Sequence, residues 1–444
     1  MTYPKSLLYL ILALALIRGL IYASLVPPWQ APDEPAQFER AKAALSATDW
    51  VSTAEHGPAW YGDLGRSLFT FQMWDFLDSA RPPYSPESPL SRYIVLYHEA
   101  YEGLYGSRPM YAVIGWPAAL TPAATITLQL YLVRLNTVLM NVGIIFLAYL
   151  TTKTIFPHDP FLFLGVPVLI LFNPQHTHLL ATVNNGNLAE LLATAALYFL
   201  VMGLIKGFSW LNGLALLVCA MLAMWAKATA YFLPLAIGTV GLFYLWRYRR
   251  HWRWFVPVGL LLLGFTYLAA PARLKQLPQL AWNSVQNKGF YLDPIVPQDL
   301  FKSFWAMPGW TILYLHPIWY QLLLLAGGLA LLGLLILVIT RWQAIRAGQF
   351  QAQFQALLVL AVASVVAVGV LLAWNGLSHS IVYRQGRSIY PVIVPISIFL
   401  MLGWRQLIPQ DWRKVGLLGL TLLMFLFDSL VLFNYMVPLF YSRY

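Results

Sequence analysis

The stretch LLYLILALALIRGLIYASLV-PPWQAPDEPAQFER, residues 7–40, decides how this chain is read. Residues 7–26 carry one charge, Arg18, and are long enough to cross a bilayer core of about 30 Å as a helix. Pro27, Pro28 and Pro32 then remove backbone donors, so the helix stops there. Pro35 suits the first turn of a new helix, with Asp33 or Glu34 at its cap. In that helix Phe38, Ala41 and Leu45 share a face while Glu39, Arg40 and Lys42 point elsewhere, a pattern that predicts a short helix lying flat on the membrane surface. Two adjacent carboxylates are thus held at a helix start beside a bilayer, where a group acting on a lipid head group is expected.

The rest of the chain follows the same pattern. Of 444 residues, 59% are hydrophobic and 10% charged, a balance that excludes a soluble globular domain and predicts a polytopic membrane protein. Residues 7–26 lack a small-residue cleavage site, and many apolar runs follow, so they read as a retained span. The single Cys219 rules out an intrachain disulfide and a thiolate metal cluster. The net charge of +11 sits mostly in short loops between apolar runs, so it gives no reason to expect nucleic-acid binding.

About eleven spans are expected, near 7–26, 128–150, 160–174, 188–205, 211–225, 231–246, 255–270, 318–339, 355–374, 389–404 and 415–435, in one integral membrane domain covering 1–444. The runs 160–174 and 389–404 are short enough to be tilted or re-entrant, and 110–124 reads as interfacial. Lys5, Lys153, Lys206, Arg247, Arg249, Arg250, Arg253, Arg341, Arg346, Arg405, Arg413 and Lys414 fall on one side of this scheme. The other side holds Lys227, Arg384 and Arg387 in its short loops. By the positive-inside rule the N-terminus is cytoplasmic and the PDEP stretch faces outward, which predicts a multi-pass protein of the cell membrane. Two outer segments are large, 27–109 with eleven of the seventeen acidic residues, and 271–316.

The candidate chemistry lies on that outer side. Asp33 and Glu34 are either a helix cap or a catalytic pair. Arg384, Gln385, Arg387 and Tyr390 lie in YRQGRSIYP (383–391), where the arginines serve as interfacial anchors or as a bidentate phosphate clamp and Gly386 permits close backbone approach. Lys227 and Thr229 form a polar outer turn, the lysine either snorkelling or binding anion. Arg18 and Arg134 lie within spans, so each needs a buried partner, for which Glu190 is the expected one. His176, His178, Asn184 and Asn185 read as polar pocket lining, since their spacing is weak support for a divalent metal. No metal and no other cofactor is required.

Five segments, PPWQAPDEPAQF (27–38), VNNGNLAELL (183–192), AKAT (226–229), SFWAMPGW (303–310) and YRQGRSIYP (383–391), together resemble a bacterial family of polytopic membrane proteins. That family is similar to the GT-C superfamily of lipid-dependent glycosyltransferases. Its pattern has His at the position of Gln37 and Asp at that of Gly186. The resemblance implies an all-α bundle of GT-C type with interfacial helices in the first outer loop. It also implies sugar transfer from a polyprenyl-phosphate donor to a glycan, lipid or protein acceptor at the outer, periplasmic face. Asp33 would be the general base with Glu34 its neighbour. Arg384, Arg387 and Lys227 would hold the phosphate. With no second carboxylate dedicated to a covalent intermediate, inversion is expected. The competing readings are a transporter or flippase of a lipid-linked sugar, and a polymerase of surface polysaccharide.

Overall fold

A computed structural model describes residues 6–45, 60–73, 104–247, 289–378 and 384–441, with isolated positions at 264, 279, 282 and 286. Every regular element among the described residues is helical. The first half comprises α1 (Ser6–Leu25), α2 (Glu34–Leu45), α3 (Trp60–Thr70), α4 (Leu104–Ala119), α5 (Ile126–Ile155), α6 (Pro160–Leu171), α7 (Pro174–Leu180), α8 (Asn185–Lys206), α9 (Trp210–Ala226) and α10 (Leu233–Arg247). The second comprises α11 (Ile295–Trp305), α12 (Pro317–Arg346), α13 (Gln351–Ser378), a 3-10 turn at Gly386–Val392 leading into α14 (Ile393–Leu407), and α15 (Arg413–Leu430). A π-helical stretch, Val431–Met436, joins α15 to the last helix, α16 (Val437–Tyr441).

Among the described residues seven helices are long and apolar enough to cross a membrane, and α6, α9 and α10 are shorter apolar helices. In α12 only 11% of the most apolar window is buried within the chain, and in the 351–377 run 22%. Leu324, Leu331 and Val365 are each more than 60% exposed. Such faces are stable only against hydrocarbon, so the chain is a helical membrane protein. The run expected at 255–270 and the arginines at 249, 250 and 253 lie outside the described residues.

Local chemistry sets the helix boundaries. The Oγ of Thr125 accepts from Leu128 N–H at 3.3 Å and opens α5, and Asn173 Oδ1 accepts from His176 N–H at 3.0 Å and opens α7. Asn184 Oδ1 caps α8 through Gly186 N–H at 2.7 Å. The run expected at 160–174 is broken in two: α6 has twelve residues, about 18 Å of helix, too short to cross a bilayer upright. Asn173 and Pro174 then start α7, which is buried at every residue.

The expected surface-lying helix is instead α2, enclosed by protein. Nine of its twelve residues are buried, among them Glu34, Gln37 and Glu39. It packs on α4 so closely that a Cβ at Gly115 would lie 2.9 Å from both the Cβ and the carbonyl oxygen of Ala41. Trp29, Phe38, Leu64, Met110, Ile114, Leu130 and Val183 form the apolar core that seats this outer layer on α5 and α8.

The buried arginines do not take Glu190, the partner expected from sequence. Arg18 donates to Asp428 through Nε at 2.6 Å and also reaches Thr177, while Tyr22 donates to the same carboxylate at 2.5 Å. Arg134 pairs with Glu34 at 2.6 Å, both side chains wholly buried. Glu190 instead faces His176, 2.6 Å from Nε2.

Candidate functional site

Pro27 and Pro28 end α1, which leaves carbonyl oxygens without helical donors. Arg134 supplies them, donating to the carbonyls of Ala23 at 2.8 Å, Val26 at 2.6 Å and Pro27 at 3.1 Å. Its remaining donors clamp Glu34, Nε to Oε1 at 2.8 Å and one terminal nitrogen to Oε2 at 2.6 Å. The same carboxylate accepts from the backbone N–H groups of Trp29 and Val183, both at 3.1 Å. Glu34 therefore spends both oxygens holding the loop to α5 and to the start of α8. The pairing with Asp33 expected of it in catalysis is not what its geometry offers.

Asp33 is turned the other way. Its φ of +62°, with +73° at Trp29, folds the loop so tightly that neighbouring carboxylates diverge. Side-chain exposure is 44% for Asp33 against 0% for Glu34. Asp33 Oδ2 accepts from Arg387 at 2.5 Å, and Arg387 also reaches the Pro32 carbonyl at 3.4 Å. Four residues on, Gln37 Oε1 accepts from Tyr111 O–H at 2.9 Å and from Asn185 N–H at 3.2 Å, tying α2 to α4 and α8.

Lys227 lines a small cavity with Arg387 and donates to Asn184 Oδ1 at 3.3 Å. Burial and the Arg387 charge push its ammonium down to about 7, with Asp33 and Glu190 pulling the other way. Asn185 Nδ2 donates to the Ala226 carbonyl at 3.2 Å, which fixes this turn against the start of α8. A Cβ at Gly186 would point at Lys227 Nζ from 3.0 Å, so this position looks directly onto the lysine.

The 3-10 turn that carries Arg387 is fastened to α11. Gly386 N–H donates to Ser303 Oγ at 2.7 Å, and Tyr390 O–H donates to the Phe304 carbonyl at 3.0 Å. A Cβ on Gly386 would lie 2.4 Å from Phe304 N. The close approach expected of this glycine is therefore made by protein backbone. Gln385 Nε2 donates to Thr311 Oγ1 at 3.2 Å. Arg384 goes to a different carboxylate from Arg387, with Nε 3.4 Å from Asp299 Oδ2, so the two arginines do not form one clamp.

His178 lies deeper. It is fully buried, and neither ring nitrogen makes a full hydrogen bond, a backbone group of Gly309 being the nearest that acts on it. Burial pushes its imidazole down to about 4, so it is neutral at physiological pH. Tyr390 stacks edge-on against His176, centroids 5.1 Å apart. His176 was expected as pocket lining and Glu190 as an arginine's partner, while Asp299 was not singled out. A lone acid within an apolar run was the visible sign for Glu190. Among the described residues no three His, Cys, Asp or Glu side chains are placed to hold a metal ion.

The five segments singled out in the sequence thus meet. Asp33 comes from the first, Asn184 from the second, Lys227 from the third and Arg387 from the fifth. Ser303 and Phe304 of the fourth hold the turn beneath Arg387. Fold and site together define a helical membrane protein with a carboxylate–guanidinium–amine cluster at one end of its bundle. No protein-family model, curated protein or solved structure matches the chain.

Proposed function

We propose that the protein is a membrane glycosyltransferase of GT-C type, moving a sugar from a polyprenyl-phosphate carrier to an acceptor at the outer membrane face with inversion. The observation that carries this reading is the half-exposed Asp33 carboxylate, held 2.5 Å from Arg387 where four of the five segments converge around Lys227. Breaking a phosphate–anomeric bond builds positive charge on the sugar and negative charge on the departing phosphate. A carboxylate must take the acceptor's hydroxyl proton while cations stabilise the phosphate. Arg387 is positioned for exchange: a phosphate that draws its guanidinium away frees Asp33 Oδ2 to accept the proton. The acceptor oxygen then bonds to the anomeric carbon, and the electron pair of the broken bond leaves on the phosphate. Lys227 adds a second cation within the cluster.

The test is transfer by the purified protein in proteoliposomes, supplied with radiolabelled polyprenyl-phosphate sugars and extracted cell-envelope acceptors. Label moving from the carrier to an acceptor supports the reading. Label that crosses the bilayer while staying on the carrier favours a flippase, the alternative that needs no base.

A further inference from the structure

Behind Arg387 lies a small cavity bounded by Asn184, Asn187, Glu190, Lys227, Arg387 and Tyr390, with about one water's worth of free space. Glu190 is the carboxylate of this lining, and the transfer chemistry above does not use it. It is 2% exposed, its Oε1 is committed to His176 Nε2 at 2.6 Å, and among the described residues no hydrogen bond reaches Oε2. Among the described residues Lys227 makes one hydrogen bond, to Asn184, and two of its three N–H donors have no partner there. The cavity therefore pairs an unused buried acceptor with unused donors.

We propose that this cavity recognises a single hydroxyl of the donor sugar, which donates to Glu190 Oε2 and accepts from Lys227. The inference rests on the glycosyltransferase reading and adds to it a determinant of which sugar is used. A hydroxyl both donates and accepts, so it satisfies Glu190 and Lys227 together. A phosphate oxygen would satisfy the cations but face the Glu190 carboxylate, and an ammonium would face Lys227 and Arg387. The size of the space sets the same limit: it takes one polar atom, while a phosphate group needs the open side of Arg387. His176 acts as a positioning residue, holding the carboxylate by Oε1, and is itself packed against Tyr390.

The experiment uses the full chain in lipid nanodiscs. Wild type is first offered polyprenyl-phosphate glucose, galactose, mannose and arabinose, and then the monodeoxy series of whichever sugar is transferred. Loss of one particular hydroxyl is expected to lower kcat/KM by about 100-fold or more, because it leaves buried polar groups unpaired. In Glu190→Gln, where an oxygen acceptor becomes an amide, that penalty should shrink at least tenfold while the penalties for other hydroxyls stay put. Lys227→Met provides an independent variant with the same expected coupling. Unchanged penalties in both variants, or equal penalties at every hydroxyl, would overturn the inference and leave a water-filled structural cavity. A penalty confined to deoxygenated acceptors would also overturn it. Failure of wild type to transfer any of the four sugars would count against the transferase reading itself.

Discussion

Asp33 and Glu34 are neighbours in sequence with opposite fates, and their difference can be measured. Glu34 and Arg134 form a desolvated pair, and removing one partner strands the other. Glu34→Gln and Arg134→Met should each cost about 3–5 kcal/mol in thermal or denaturant unfolding. Asp33→Asn should leave stability close to wild type, because asparagine caps helices and tolerates positive φ. Asp33→Ala should cost about 1–2 kcal/mol, since alanine pays for the left-handed backbone and gives up the contact with Arg387. Lys227 adds a pH dependence. Its folded value, about 7, lies below the usual 10.5, so between those values the unfolded chain binds more protons and stability rises with pH. The burden of the charged lysine is fully present below pH 7. Lys227→Met should therefore stabilise the protein most near pH 6, with the gain shrinking toward pH 10 in unfolding measurements. The sequence showed that this stretch was constrained, since four prolines flank two acids. It could not show which acid turns inward, because that depends on the φ of Asp33 and on Arg134, a hundred residues from Glu34.

At the scale of elements, the apolar runs were legible because span length and composition are local properties. Where misreadings arose, tertiary partners replaced solvent. Arg40 donates to Tyr111 at 3.1 Å and Lys42 to Gln129 at 2.6 Å, so the apparent polar face of α2 is spent inside the protein. The end of α6 was expected near 174, but α7 lies in what was expected to be a short outer loop, and Asn173 and Pro174 are the local marks of its start. The contact between the 3-10 turn and α11 makes a sharp prediction. Gly386→Ala places a Cβ 2.4 Å from one backbone atom of Phe304 and 2.6 Å from another of Ser303, where no side chain can yield. It should cost about 1–3 kcal/mol of stability and shift Arg387 from Asp33. Unfolding and transfer assays on the same preparation should fall together. A fully stable, fully active Gly386→Ala protein would show that the turn is not seated as described.

Across the whole molecule, the helix ends sort into a site end and an opposite end. The C-terminus of α1 and the starts of α5, α8 and α14 lie at the site end, next to Asp33, Arg134, Asn184 and Arg387. Lys153, Lys206 and Arg405 occupy the opposite termini of α5, α8 and α14, where Arg405 pairs with Asp159. By the positive-inside rule, a membrane that held these cations on its cytoplasmic side would place the site outward, and this topology is a proposal open to labelling. In a Cys219→Ser background, an impermeant thiol reagent applied outside should modify Asp63→Cys and spare Trp210→Cys, which is the more exposed of the two but sits beyond Lys206. The reverse pattern would move the site to the cytoplasmic face. What remained illegible was convergence: five segments spread over more than 350 residues meet only through pairs such as Asp33 with Arg387, which no local pattern encodes.

The central claim is that Asp33 accepts the acceptor's proton during sugar transfer. The direct measurement is the single-turnover rate of transfer from a polyprenyl-phosphate sugar by purified Asp33→Asn, compared with wild type at matched folding and donor saturation. A fall of about 100-fold or more is expected, with unfolding behaviour unchanged. Transfer by Asp33→Asn at near the wild-type rate would contradict it and leave the Asp33–Arg387 pair as a structural tie.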